Sequence, residues 1–141
     1  VALEVRAATV GDADAIARLI GQLGYPADAG VIPARLERLA NDRSAVLLAL
    51  RDGTIVGLAT AHILTLVNHV RDVGWLTALV VDESARGIGV GRRLVERVEA
   101  FAREHDCERL SVTTHERRPG AHAFYARVGF ELTGRRFGKV L

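Results

Sequence analysis

The chain has 141 residues, 49% of them hydrophobic, and a formal net charge of +2. That length is enough to bury roughly 70% of the surface the unfolded chain exposes, so a single domain over 1–141 is expected, and no apolar run approaches the ~20 residues that span a bilayer. The 19 basic residues, all arginine except Lys139, are dispersed and alternate with acids, as in "RRLVERVEAFARE", which is the pattern of a solvated helix face and argues against a nucleic-acid-binding stripe.

The opening "VALEVRAATV" lacks the charged-then-apolar layout of a secretory signal, and no methionine occurs, which implies that the initiator was removed or lies upstream. Residues 3–8, "LEVRAA", predict a short strand. "TVGD" then supplies a capping box, with Thr9 as N-cap and Asp12 three residues on. Ile16, Leu19, Ile20 and Leu23 follow at i, i+3, i+4, i+7 and form one apolar face of a helix. "GYPADAG" breaks that helix, and Pro33 suits the first turn of a second, carrying Leu36, Leu39 and Ala40.

"AVLLAL RDG TIVGLATAHIL" predicts a hairpin: two apolar, partly β-branched runs flank Asp52-Gly53, a pair suited to the positive φ angles of a tight turn. Residues 65–72 read equally as strand end or loop. The run from Val73 to Val81 is apolar enough for a strand buried on both faces. A glycine turn and a long helix follow, the latter with Leu94, Val95, Val98, Phe101 and Ala102 on one side. Cys107, the only cysteine, lies at a helix-to-strand junction and reads as a buried spacer. No internal disulfide can form, no oxidising compartment is indicated, a cytoplasmic location is expected, and no metal site is expected. "RLSVTT" (109–114) predicts a strand, Pro119–Val128 a helix closed by Gly129, and "FELTGRRFGKVL" two final strands around Gly134. The order β-α-α-β-β-β-α-β-α-β-β implies an α/β (α+β) protein with a single mixed sheet flanked by helices.

The glycine turn, "RGIGVGRRL", asks for a ligand. A Walker loop is excluded because its last glycine is followed by Arg92-Arg93 where Lys-Ser/Thr is needed. A dinucleotide fingerprint fits poorly, since position 92 is Arg and the turn falls past the middle of the sequence. Two readings stay open: backbone N–H groups at a helix start directed at a pyrophosphate, or a plain strand-to-helix turn. The helix terminus alone contributes only ~0.3–2 kcal/mol to holding an anion, so several N–H bonds must act together.

Arg86-Gly87-Ile88-Gly89-Val90-Gly91 resembles the R/Q-x-x-G-x-G/A signature of the GNAT superfamily of acyl-CoA-dependent N-acetyltransferases. "AHAFYARVGFE" (121–131) is similar to that family's second recurring segment, and "RAATVGDADAIARLIGQL" and "DGTIVGLATAHI" fit its upstream order, so the resemblance covers essentially the full chain. It implies a GNAT-like fold with a mostly antiparallel sheet. It also implies an enzyme that moves acetyl from acetyl-CoA to a primary amine of a small molecule or peptide by direct attack in a ternary complex. Backbone groups of Leu79, Val80 and Val81 would pair with the pantetheine arm of acetyl-CoA. Those of Arg86, Gly87, Ile88, Gly89, Val90, Gly91 and Arg92 would surround its pyrophosphate. The thioester would lie where the 73–81 strand parts from the 109–114 strand.

Tyr125 aligns with the family's recurring tyrosine, the general acid for the departing thiolate. By itself, a tyrosine beside Phe124 reads equally as a core aromatic. The base is not fixed by the resemblance. His115 is the first candidate by position, ahead of Glu116, His62, His69, Asp72 and Glu83. The chain departs from the family at Arg118, seven residues before Tyr125, where many members carry an asparagine that bonds the cofactor arm; the guanidinium or His122 would have to replace that contact. The segment "GYPADAG" offers only Asp28 as an acid, and "TGRRFGK" is basic, which favours an acceptor bearing its own carboxylate over a polycation. A non-catalytic acyl-CoA-binding or sensing module is the alternative on the same fold. The resemblance also allows a homodimer, although no segment specifies an interface.

Overall fold

Four strands form an antiparallel meander, and a fifth joins it through a helical crossover. A computed structural model describes residues 2–113 and 119–141. The elements are β1 (Leu3–Ala7), α1 (Ala13–Leu23), α2 (Ile32–Arg38), β2 (Ser44–Arg51), β3 (Thr54–Leu64), β4 (Val73–Val81), α3 (Val90–Glu104), β5 (Arg109–Val112) and α4 (Pro119–Arg127). The sheet runs in the order β1-β2-β3-β4-β5, and its first three pairings are antiparallel. The chain divides into two compact units, 1–111 and 112–141.

Local chemistry explains most boundaries. The Asp12 carboxylate accepts the Thr9 N–H at 2.8 Å and both guanidinium arms of Arg6 at 2.8 and 2.9 Å, which fixes the chain between β1 and α1. The Arg6 bonds foremost hold the Asp12 carboxyl far below the usual carboxylate range. At the other end of α1, the Gly24 N–H bonds Gly21 O and the Tyr25 N–H bonds Ile20 O, the pair of contacts made by a left-handed C-cap. The β2–β3 turn has positive φ at both central residues, Asp52 (49°) and Gly53 (84°), as a right-twisted hairpin requires.

The strands alternate between two helix layers. Leu48, Leu50, Leu58 and Val80 pack with Ile16, Leu19 and Ile32 from α1 and α2. The opposite face meets α3: a Cβ on Gly57 would lie 2.9 Å from Val90 Cγ1 and 3.0 Å from Leu94 Cδ1. A Cβ on Gly74 would lie 3.0 Å from Ala102 Cβ. Small residues on β3 and β4 therefore let α3 lie directly on the sheet.

Two expectations change. The two closing strands around Gly134 are not formed: residues 131–141 have no regular structure and are exposed throughout, Leu132, Phe137 and Val140 to 89% or more. A strand pair needs both a ladder of hydrogen bonds and a buried face, and the apolar residues of this segment have no such face. The second helix stops at Arg38, so Leu39 caps it and Ala40 lies beyond. The expected strand 109–114 is seen as β5 to Val112; position 114 lies outside the described residues.

Candidate active site

The candidate site is built around a dislocation in β4. Thr60 pairs with Ala78 but Ala61 pairs with Leu76, so Thr77 is an extra, bulged residue. Its hydroxyl donates to Thr60 O at 3.1 Å, leaving its oxygen to accept from the Thr60 hydroxyl at 2.7 Å. β5 starts level with β4, because the Glu108 N–H donates to Asp72 O at 2.9 Å, one residue before each strand begins. That alignment is parallel and makes the sheet mixed. With four residues against the nine of β4, β5 ends beside the bulge. The edge of β4 from 78 to 81 runs on past it.

Beyond that edge the chain turns into α3. The Asp82 N–H donates to Val56 O at 2.7 Å, and its carboxylate accepts Arg18 Nη1 and Gln22 Nε2 from α1, both at 2.6 Å, together with the Ser84 hydroxyl and N–H. Gln22 completes the clamp by accepting the Glu83 N–H at 3.2 Å. Ser84 first, then Gln22, hold the Asp82 carboxyl at a pKa of about 2. Arg86 Nε bonds Val81 O at 3.2 Å.

Gly87 (φ +82°) and Gly89 (φ +90°) then take left-handed conformations, and among the described residues a Cβ on either would meet no atom beyond its chain neighbours within 4 Å. The space is open for a ligand. Gly89 is the N-cap of the 15-residue α3, and among the described residues no side chain caps the N–H groups of its first turn. Val90 points its buried side chain at Gly57, so only its backbone can face that space, whereas Ile88 is exposed. Val80 is buried in the core on the α1–α2 side, and Leu79 and Val81 are half-buried.

In the second unit, α4 ends on Gly129 (φ +101°), with Gly129 N–H to Ala126 O and Phe130 N–H to Tyr125 O. Tyr125 is half-buried between edge-on rings, Phe124 at 5.4 Å and Phe130 at 5.7 Å. Among the described residues no group of three potential metal ligands occurs, and no helix is long and apolar enough to cross a membrane.

Residues 18–130 match the Acetyltransferase (GNAT) family. The chain is 32% identical to the aminoalkylphosphonate N-acetyltransferase of Salmonella typhimurium, over 98% of this chain and 91% of that one. It is 35% identical to the aminoglycoside N(6')-acetyltransferase type 1 of Stenotrophomonas maltophilia, over 93% and 88%. The chain belongs to the GNAT acetyltransferase family. The fold agrees: the structure of aminoglycoside N-acetyltransferase AAC(6')-Iy in complex with CoA, 24% identical, superposes with a TM-score of 0.86 over 99% of this chain and 95% of that one. This GNAT chain is accordingly an N-acetyltransferase.

The candidate bases separate once placed in this GNAT sheet. His115, Glu116 and Arg118 lie outside the described residues. His69 Nδ1 lies 3.4 Å from Glu108, and Asp72 is bonded by Arg43 at 3.1 Å, so both are engaged in holding the start of β4. Asp72 is kept below its ordinary range by Thr65 foremost and Arg43, and Glu108 by the Arg71 N–H foremost. Glu83 sits in the turn after β4, at the glycine end. His62 alone lies within the central strands. Cys107 is half-buried, and burial pushes its thiol pKa up, which suits an unreactive spacer.

Sequence reasoning missed the bulge and the Asp82 clamp. The only local sign of the bulge was a polar Thr77 in "VGWLTALVV"; the sign of the clamp was Arg18 and Gln22 at i, i+4 on α1.

Proposed function

We propose that this N-acetyltransferase transfers the acetyl group of acetyl-CoA to the primary amine of a small molecule that carries its own anionic group. The observation that carries the donor is the left-handed pair Gly87 and Gly89 at the start of α3, where open space takes the place of side chains. The N–H groups of Arg86 to Arg92 bind the pyrophosphate there, collectively and at a helix N-terminus. The pantetheine arm pairs with β4 at Leu79, Val80 and Val81, as an added strand does. The thioester then lies at the bulge, and the amine attacks its carbonyl carbon directly. A C–N bond forms, the C–S bond breaks, and Tyr125 gives a proton to the departing thiolate.

Two features support an anionic acceptor. The related Salmonella enzyme is named for aminoalkylphosphonates. The segment between α1 and α2 holds a single acid, Asp28, whose carboxylate is occupied by the Gly30 N–H at 2.9 Å, whereas a polycation needs clustered carboxylates. The test is calorimetric titration with acetyl-CoA beside ATP and NAD, followed by turnover of 2-aminoethylphosphonate, β-alanine, kanamycin and spermidine. Selective acetyl-CoA binding and acetylation of the first two are expected. No acetyl-CoA binding overturns the donor site, and preference for spermidine or kanamycin overturns the acceptor class.

A further inference from the structure

Resting on that reading, we propose that His62 is the base that takes the proton of the attacking amine. Gly57 of β3 faces α3, whereas Leu58 packs with α1 and α2. By strand alternation Thr60 and His62 share the Leu58 face. The core cluster beneath α1 and α2 includes Leu58 and Val80 but neither Thr60 nor His62, and both of those side chains are half-buried.

Cross-strand pairing sets out this stretch in rows. One row is Val46, Thr60 and Ala78, with the bulged Thr77 bonded to Thr60. The next is Ser44, His62 and Trp75. Successive rows on one face are about 7 Å apart, so the imidazole stands one row from the bulge. That is within reach of an amine attacking a thioester held at the bulge.

Chemistry narrows the choice. An alkylamine of pKa about 10 is neutral in only about one molecule in a thousand at pH 7, so a base must collect its proton. β4 carries no ionisable side chain, and across β2, β3 and β4 the only basic side chains are Arg51, at the hairpin end and permanently charged, and His62. Ser44 Oγ lies 3.1 Å from His62 Nδ1. With Nδ1–H donating to that hydroxyl, the Nε2 lone pair faces away from Ser44 and accepts the proton. Two protons then balance: the ammonium proton passes to Nε2 and on to water, and the second N–H proton, lost as the amide forms, offsets the one taken by the thiolate.

The test compares His62→Gln and Ser44→Ala with the unsubstituted chain. The acceptors are 2-aminoethylphosphonate or β-alanine, whichever is turned over faster, and its aminooxy counterpart, whose nitrogen is already neutral at pH 7. For His62→Gln, kcat with the amine falls by about 10²–10⁴-fold, the aminooxy acceptor loses less than about tenfold, and acetyl-CoA affinity is unchanged. Ser44→Ala shows the same pattern, weaker. Equal losses with both acceptors, or none, overturn the assignment of His62 while leaving the enzyme standing. An acetyl-CoA affinity lost along with the rate marks disrupted folding and also counts against it, since Ser44→Ala removes one hydroxyl and must still show the selective loss. If the unsubstituted chain acetylates neither the amines nor their aminooxy forms, the functional reading falls and this inference with it.

Discussion

Gly87 and Gly89 take left-handed backbone conformations that cost an alanine about 1–2 kcal/mol each, whereas Gly91 lies inside the first turn of α3. The three glycines therefore answer differently to the same substitution. Gly89→Ala is expected to lose about 1–2 kcal/mol in urea unfolding and at least about tenfold in acetyl-CoA affinity, because it strains the turn and fills ligand space. Gly91→Ala is expected to gain up to about 1 kcal/mol from helix propensity and to lose less affinity. Calorimetry and urea melts on both variants check the contrast. Asp82 gives a second prediction at this scale. Its folded pKa, about 2, lies below the ordinary value near 4, so its clamp stabilises fully above that value and is lost as pH falls towards about 2. Asp82→Asn should lower Tm at pH 7, and the gap to the unsubstituted chain should close between about pH 4 and pH 2. A gap that persists at pH 2 would assign the loss to packing rather than charge.

At the level of elements, the seating of α3 on the sheet decides where its N-terminus points. Gly57→Ala pushes a Cβ against Val90 and Leu94, both at the glycine-turn end of α3 and both 1% exposed or less. The expected loss is about 1–3 kcal/mol in urea unfolding, with weaker acetyl-CoA binding because the helix start is lifted. The elements legible in the sequence are those whose signals are local. Thr9 and Asp12 mark the start of the first helical segment, Asp52-Gly53 the hairpin, and a largely apolar run marks Val73–Val81 as β4. The bulge was not legible, because a register shift belongs to two strands at once and "VGWLTALVV" reads as regular strand. The clamp joins Arg18 and Gln22 to Asp82, some sixty residues away, and their i, i+4 spacing on α1 does not name that partner. The final segment failed in the opposite direction: Leu132, Phe137 and Val140 look like strand residues but stay exposed, since apolar spacing alone supplies no pairing partner. The candidate base shows the same limit, because choosing between His62 and His69 required knowing that Glu108 comes to lie beside His69.

For the whole molecule, the buried core and the proposed ligand site share one unit. The buried hydrophobic side chains among the described residues all lie between Ile16 and Ala102, hence within the unit 1–111. β4 and the glycine turn belong to that unit too. Ligand held at this turn and strand edge therefore stabilises the part of the chain whose unfolding dominates a thermal melt. At a hundred times its Kd, acetyl-CoA contributes about 2.7 kcal/mol, on the order of 5–10 °C in Tm for a chain of this size. ATP at the same concentration offers phosphates but no pantetheine arm for β4, and should shift Tm much less. Equal shifts from the two ligands would make the turn a general anion site and remove the role given to the β4 edge. A shift with acetyl-CoA that Gly89→Ala abolishes, in a variant that still melts cooperatively, ties the stabilisation to the turn itself.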